Sequence, residues 1–150
     1  MHIEGLDFHN KHSVWVYPDP QDERARNAYL KLLYQDFSSL NIQALPLWGP
    51  KIWKQARHSV VHQHWFEFRS VFGFLRLIFR LWNFWIYKQL GGSLYWTFHN
   101  IEPHQSPFPR LQRLLMKTLW RLSDRVYLHH SRHIRWVQDE LNWTHPDLRF

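Results

Sequence analysis

The chain has 150 residues, a size that fits one domain, and carries 19 Lys+Arg against 12 Asp+Glu for a net charge of +7. An apolar share of 45% excludes disorder, and the absence of cysteine excludes a disulfide scaffold, a thiolate metal site and a cysteine nucleophile. The positive balance favours phosphate-bearing or anionic partners, while 10 Trp, 11 Phe and 6 Tyr supply a large core, an interfacial surface or stacking sites.

The first residues, Met1 to Gly5, lack the basic-then-apolar pattern of a signal peptide. Ser13 to Tyr17 reads as a strand closed by the turn Pro18-Asp19-Pro20. Ala28, Leu32, Leu33 and Phe37 follow helical spacing within Arg24 to Ser39, and Ile42 to Leu47 returns to strand character before Trp48-Gly49-Pro50. After a basic linker, Ser59 to Trp65 reads as a third strand. A long apolar helix spans about Arg69 to Leu90 and stops at Gly91-Gly92. Arg69, Gly73, Arg76, Arg80, Asn83 and Tyr87 form a polar stripe along it, which argues against a membrane span. The stripe predicts a helix packed on a sheet with one wet edge; an interfacial helix is the alternative.

Leu94 to His99 is a fourth strand, and Asn100 to Pro109 a loop with three prolines. Arg110 to Ser123 is an amphipathic helix with Leu111, Leu114, Leu115, Thr118, Leu119 and Leu122 on one face, and Arg110, Arg113, Lys117 and Arg121 on another. Arg125 to His130 is a fifth strand, after which Ser131 caps a helix over about Arg132 to Leu141. Strands alternating with helices predict an α/β fold: one Rossmann-like, doubly wound domain with a mainly parallel sheet of five or more strands.

Ligands of open parallel sheets bind outside the carboxyl ends of the strands. Asp19 follows the first strand, His64 and Glu67 the third, His99, Asn100 and Glu102 the fourth, and Ser131 the fifth, so residues distant in sequence are expected to share one rim. His99 suits either a general base toward a hydroxyl or a pin for the proline-rich loop. His62 and His64, two apart, point to one strand face. Without cysteine or an HExxH helix a metal site is disfavoured, and a hydrogen-bonded pair with only His64 at the rim is preferred. Glu67 and Glu102 are either paired carboxylates or simple loop and helix-start acids. No GxGxxG or GxxxxGK[ST] occurs, which disfavours dinucleotide oxidoreductases and P-loop ATPases. The basic face of Arg110, Arg113, Lys117 and Arg121 is a solvated helix surface or a contact for anionic lipid; nucleic acid has little beyond charge to recommend it.

Three segments carry a resemblance: Val60-Val61-His62-Gln63-His64-Trp65, Tyr95-Trp96-Thr97-Phe98-His99-Asn100-Ile101-Glu102-Pro103-His104 and Asp124-Arg125-Val126-Tyr127-Leu128-His129-His130-Ser131. In this order they resemble the amino-terminal half of GT-B glycosyltransferases, nearest to family-4-like bacterial enzymes that build surface polysaccharides and glycolipids. Tyr17-Pro18-Asp19 with Asn27-Ala28-Tyr29 is similar to the start of part of that group. The resemblance implies an acceptor-binding domain for a saccharide or lipid-linked acceptor. The nucleotide-sugar co-substrate would be held mainly by a carboxyl-terminal domain that has no counterpart here, so the chain alone is expected to be inactive and to need that second half, on the same or another chain. It implies no other cofactor and no metal, and a cytoplasmic location peripheral to the inner face of the cell membrane. Carried over, His99 and Asn100 are the active-site residues, His99 the catalytic one, with His64, Glu67 and Ser131 at the cleft; the strand-end reading adds Asp19 and Glu102 to the cleft, and the charge reading makes Arg110, Arg113, Lys117 and Arg121 the membrane-facing residues. Two departures stand out: residues 18–26 contain no glycine, and Gln105 replaces a customary Glu. The competing expectation is a non-catalytic basic module for anionic membranes.

Overall fold

Short runs of Val, Trp and Tyr favour extended backbone, and in a parallel sheet they are covered on both faces. In the computed structural model, which describes residues 12–22, 28–35, 40–99 and 108–149, these runs form one six-stranded, all-parallel sheet. Its strands are β1 (Ser13–Tyr17), β2 (Asn41–Ala44), β3 (Ser59–Gln63), β4 (Ser93–Phe98), β5 (Arg125–Leu128) and β6 (Leu148–Arg149), in the order β2-β1-β3-β4-β5-β6. The chain leaves β1 toward one edge and returns past it to β3, so the strand order reverses between β1 and β3. The expected Rossmann-like α/β fold is therefore present.

Alternation along the strands sorts side chains between two layers. Trp15, Val61, Leu94, Trp96, Phe98, Val126 and Leu128 face the larger core, which is covered by α2 (Pro50–Lys54), α3 (Val71–Gln89), α4 (Pro109–Leu122) and α5 (Ser131–Leu141). Val14, Val16 and Val60 face the opposite side, where Leu30 and Tyr34 of α1 (Ala28–Tyr34) pack on them. Neither α2, which falls in the expected basic linker, nor the two-residue β6 is among the predicted elements.

Ser70 opens α3 by accepting the Gly73 amide at 3.1 Å. The helix ends where Gly92 N–H donates to the Tyr87 carbonyl and Gly91 N–H to that of Lys88, each at 3.0 Å, with Gly91 at φ +85°. That left-handed conformation is what a side-chain-free residue supplies at a helix stop.

The orientation of α3 departs from the prediction over the second half of the polar stripe, whereas Arg69 and Arg76 are exposed as expected. Arg80, Asn83 and Tyr87 of the polar stripe are buried beside Leu77, Leu81 and Phe84, whereas Val71, Phe72, Leu75, Ile78, Trp82 and Trp85 are exposed. The inward polar groups find partners there: the Tyr87 hydroxyl donates to the Ser59 carbonyl at 2.7 Å, and the Asn83 amide to the Phe79 carbonyl at 2.8 Å. The Tyr87 hydroxyl is thereby satisfied while Asn83 Oδ1 stays without a hydrogen-bond partner, and the apolar side of the helix is left outward. A smaller correction concerns α4, where Leu114 and Thr118 are exposed and Gln112, Leu115, Met116, Leu119 and Trp120 are buried. Among the described residues no helix is long and apolar enough to cross a membrane.

Candidate active site

Histidines cluster where β3, β4 and β5 end, beneath α1. Tyr34, on the inner side of α1, places its hydroxyl 2.6 Å from His62 Nδ1 and 2.9 Å from His64 Nε2. His62 Nε2 lies 2.8 Å from the Thr97 hydroxyl. Beyond the strand ends His64 Nδ1 meets His99 Nε2 at 3.2 Å, and His99 Nδ1 meets His129 Nε2 at 2.6 Å. The result is one hydrogen-bonded chain: Thr97, His62, Tyr34, His64, His99, His129. Each neutral member contributes one proton, so five contacts are satisfied with all donors running in one direction or all in the other. The expected His62–His64 pair is joined by hydrogen bonds through the Tyr34 hydroxyl, with the two rings packed at a centroid distance of 4.3 Å.

The surroundings hold this chain neutral. Burial pulls the His62 pKa down to about 3, assisted by His99, and pushes that of His64 well below the ordinary imidazole value. Burial also lowers His99 to about 3, with His129 adding to the effect, and lowers His129, the half-buried end of the chain. The Tyr34 hydroxyl is raised well above its usual range, again mainly by burial. Aromatic rings fix the imidazoles: Trp65 stacks on His99 with centroids 4.2 Å apart and planes at 12°. Tyr29 meets His99 edge-on at 5.3 Å and His129 at 5.6 Å.

Segment 64–68, which carries His64 and Glu67 out of β3, is strapped from two sides. Trp96 Nε1 donates to the His64 carbonyl at 3.0 Å. The buried Gln112 side chain accepts the Phe68 amide at 3.1 Å and donates to the Phe66 carbonyl at 2.7 Å. His64, Trp65, Glu67 and His99 share a niche of about 10 Å³, roughly one water.

Of the residues expected at the rim, His64, Glu67 and His99 do come together. Asp19 instead closes its own turn, its carboxylate accepting the Gln21 amide at 2.8 Å. Ser131 opens α5 just past the end of β5. Asn100 and Glu102 lie outside the described residues. Arg110, Arg113 and Arg121 are exposed on α4 and Lys117 is half-buried. Tyr34, Thr97, Trp65 and His129 are not among the residues the sequence assigns to the site. A histidine directly after a strand is a usable signal, whereas Tyr34 is indistinguishable from a core aromatic until α1 is placed. Among the described residues no group of three or more His, Asp or Glu side chains is arranged to hold a metal ion.

Fold and site together define a Rossmann-like α/β domain with a neutral histidine relay at the carboxyl ends of its central strands. No protein-family model, curated protein or solved structure matches this chain.

Proposed function

We propose that this domain is the acceptor-binding half of a GT-B glycosyltransferase, with His99 as the base that deprotonates the acceptor hydroxyl. The observation that carries it is the asymmetry of the His99 contacts: 3.2 Å to His64 and 2.6 Å to His129. An acceptor hydroxyl replaces the longer contact while the shorter one holds the ring. As the acceptor oxygen bonds to the sugar carbon and the bond from that carbon to the nucleotide phosphate breaks, the hydroxyl proton passes to His99 Nε2. The proton on His99 Nδ1 moves to His129 Nε2, leaving the positive charge at the end of the chain nearest solvent. An isolated base held near pKa 3 is weak, and handing the charge outward offsets that weakness. Support comes also from the three motif segments, whose histidines meet at one place in the fold.

The test is sugar transfer by the chain combined with a donor-binding Rossmann domain, or expressed within its full genomic reading frame. His99→Ala is expected to lower the rate by about 10²–10⁴-fold. An unchanged rate removes His99 from the mechanism, and no transfer from any nucleotide sugar removes the assignment.

A second reading, attachment to an anionic membrane surface at the cytoplasmic face, is favoured by the outward apolar side of α3. Phe72 is 65% exposed, Trp82 46% and Trp85 52%, and exposed Trp48 stacks on Phe79 beside them at 5.1 Å. Aromatic rings with neighbouring Arg and Lys suit the headgroup layer of an anionic bilayer.

A further inference from the structure

A second cavity, of about 370 Å³, opens on the other side of Glu67, between Tyr17 at the end of β1, the exit of β3 and the first turns of α3. Its charge is lopsided: among the described residues, Arg69, Arg76 and Arg80 line it against one carboxylate, that of Glu67. Arg80 is the telling member. It is only 7% exposed, yet its described partners are neutral: its guanidinium lies 3.5 Å from the centre of the Tyr17 ring and donates to Gln63 Oε1 at 3.3 Å. The Gln63 amide nitrogen is committed to the Trp65 carbonyl at 2.6 Å, which turns the amide oxygen toward Arg80. A guanidinium buried without an acidic partner is costly, and a second cation close by raises the cost. Burial lowers the Arg80 pKa to about 10, with Arg76 contributing, so the group stays charged at neutral pH.

An anion bound in the cavity removes that cost. A carboxylate brings one negative charge; phosphate and pyrophosphate bring two or more and match the planar fork of arginine. The amino-terminal turn of α3, whose Gly73 lines the cavity, adds positive potential of the same sign. The position is also where an open parallel sheet admits ligands, at the reversal of strand order between β1 and β3.

We propose that the Arg69–Arg76–Arg80 cavity binds the phosphate or pyrophosphate group of a ligand. The proposal rests on charge and burial and stands without the glycosyl-transfer assignment; if that assignment holds, the bound group belongs to a phosphorylated acceptor whose reacting hydroxyl reaches His99 past Glu67. The outward apolar face of α3 begins at the cavity mouth, where the Arg76 guanidinium lies 4.8 Å from the centre of the Phe72 ring. A phosphate there therefore belongs either to an amphiphile or to a soluble molecule.

The experiment is calorimetric titration of the full chain with inorganic pyrophosphate and, separately, with geranyl pyrophosphate. Pyrophosphate is expected to bind, and Arg76→Gln and Arg80→Gln to weaken it about tenfold or more. Lys31→Gln, on the opposite face of the sheet, leaves it unchanged. Arg76 is exposed, so its variant keeps the test valid should Arg80→Gln fail to fold. Tighter binding of the prenylated form that is lost in Leu75→Glu identifies the source as an amphiphile, and equal binding of both probes identifies a soluble phosphate. No pyrophosphate binding to the wild type, or binding indifferent to both arginine substitutions, overturns the proposal. Phosphate binding without sugar transfer in the completed enzyme would sink the transferase assignment alone, whereas sugar transfer by an enzyme that binds no pyrophosphate would sink the phosphate pocket alone.

Discussion

Tyr34 holds a single hydroxyl between two buried imidazoles, so its removal leaves His62 Nδ1 and His64 Nε2 facing each other across a gap too dry to solvate them. Tyr34→Phe preserves the ring packing on Leu30 and Val60 and deletes only the bridge. Unpaired buried polar groups cost about 1–3 kcal/mol each, so the variant should lose roughly 2 kcal/mol or more in urea unfolding, and a loss near zero would show that the contacts carry no weight. The same burial dictates a pH dependence. In the unfolded chain these rings take up protons near pH 6.5, whereas folded His62 and His99 do so only near 3. Between those values the unfolded state binds more protons, so stability rises with pH and is lost as pH falls from 6.5 toward 3. Buried His62 alone contributes a slope of about 1 kcal/mol per pH unit in that window. Chemical denaturation at pH 7, 5 and 4 should show the fall, and His62→Gln should flatten it.

Among the elements, α4 does more than cover the sheet. Through Gln112 it hydrogen-bonds the backbone of Phe66 and Phe68, fixing where His64 and Glu67 leave β3. Gln112→Leu keeps the volume and strands a buried N–H and a buried carbonyl. The expected loss is roughly 2–4 kcal/mol, with hydrogen exchange at the Phe68 amide faster than in the wild type while the amides inside α4 keep their protection. Unaltered protection at Phe68 would mean that the strap is dispensable. Element types were legible in the sequence because the apolar strand runs and helical spacings are long and unbroken. The facing of α3 was not. Polar residues at helical spacing ordinarily look outward, and the groups that draw Arg80 and Tyr87 inward, Tyr17, Gln63 and Ser59, lie on other strands. Five-residue α2 and two-residue β6 are too short to leave a periodic trace.

On the scale of the whole molecule, the parallel topology brings His64, His99 and His129 together from three strands; the meeting of His64 and His99 was legible from strand-end positions, whereas His129 was not among the residues expected at the rim. Nor was Tyr34, because only the packing of α1 on the sheet reveals its role. The same scale separates two contributions to the proposed membrane attachment that sequence pattern runs together. A net charge of +7, with Arg110, Arg113 and Arg121 exposed on α4, acts at a distance and is screened within about 8 Å at physiological salt. The outward face of α3, with Trp82 and Trp85, acts only on contact and is insensitive to salt. Flotation with vesicles containing phosphatidylglycerol should therefore show two distinct losses. Arg113→Glu with Lys117→Glu should weaken capture most at low salt, where the charge term is largest. Trp82→Glu with Trp85→Glu should reduce capture at every salt concentration, because each ring removed from the interface forfeits about 1–3 kcal/mol of apolar burial. If both pairs lose binding only at low salt, the aromatic face of α3 does not enter the bilayer and the attachment is electrostatic alone.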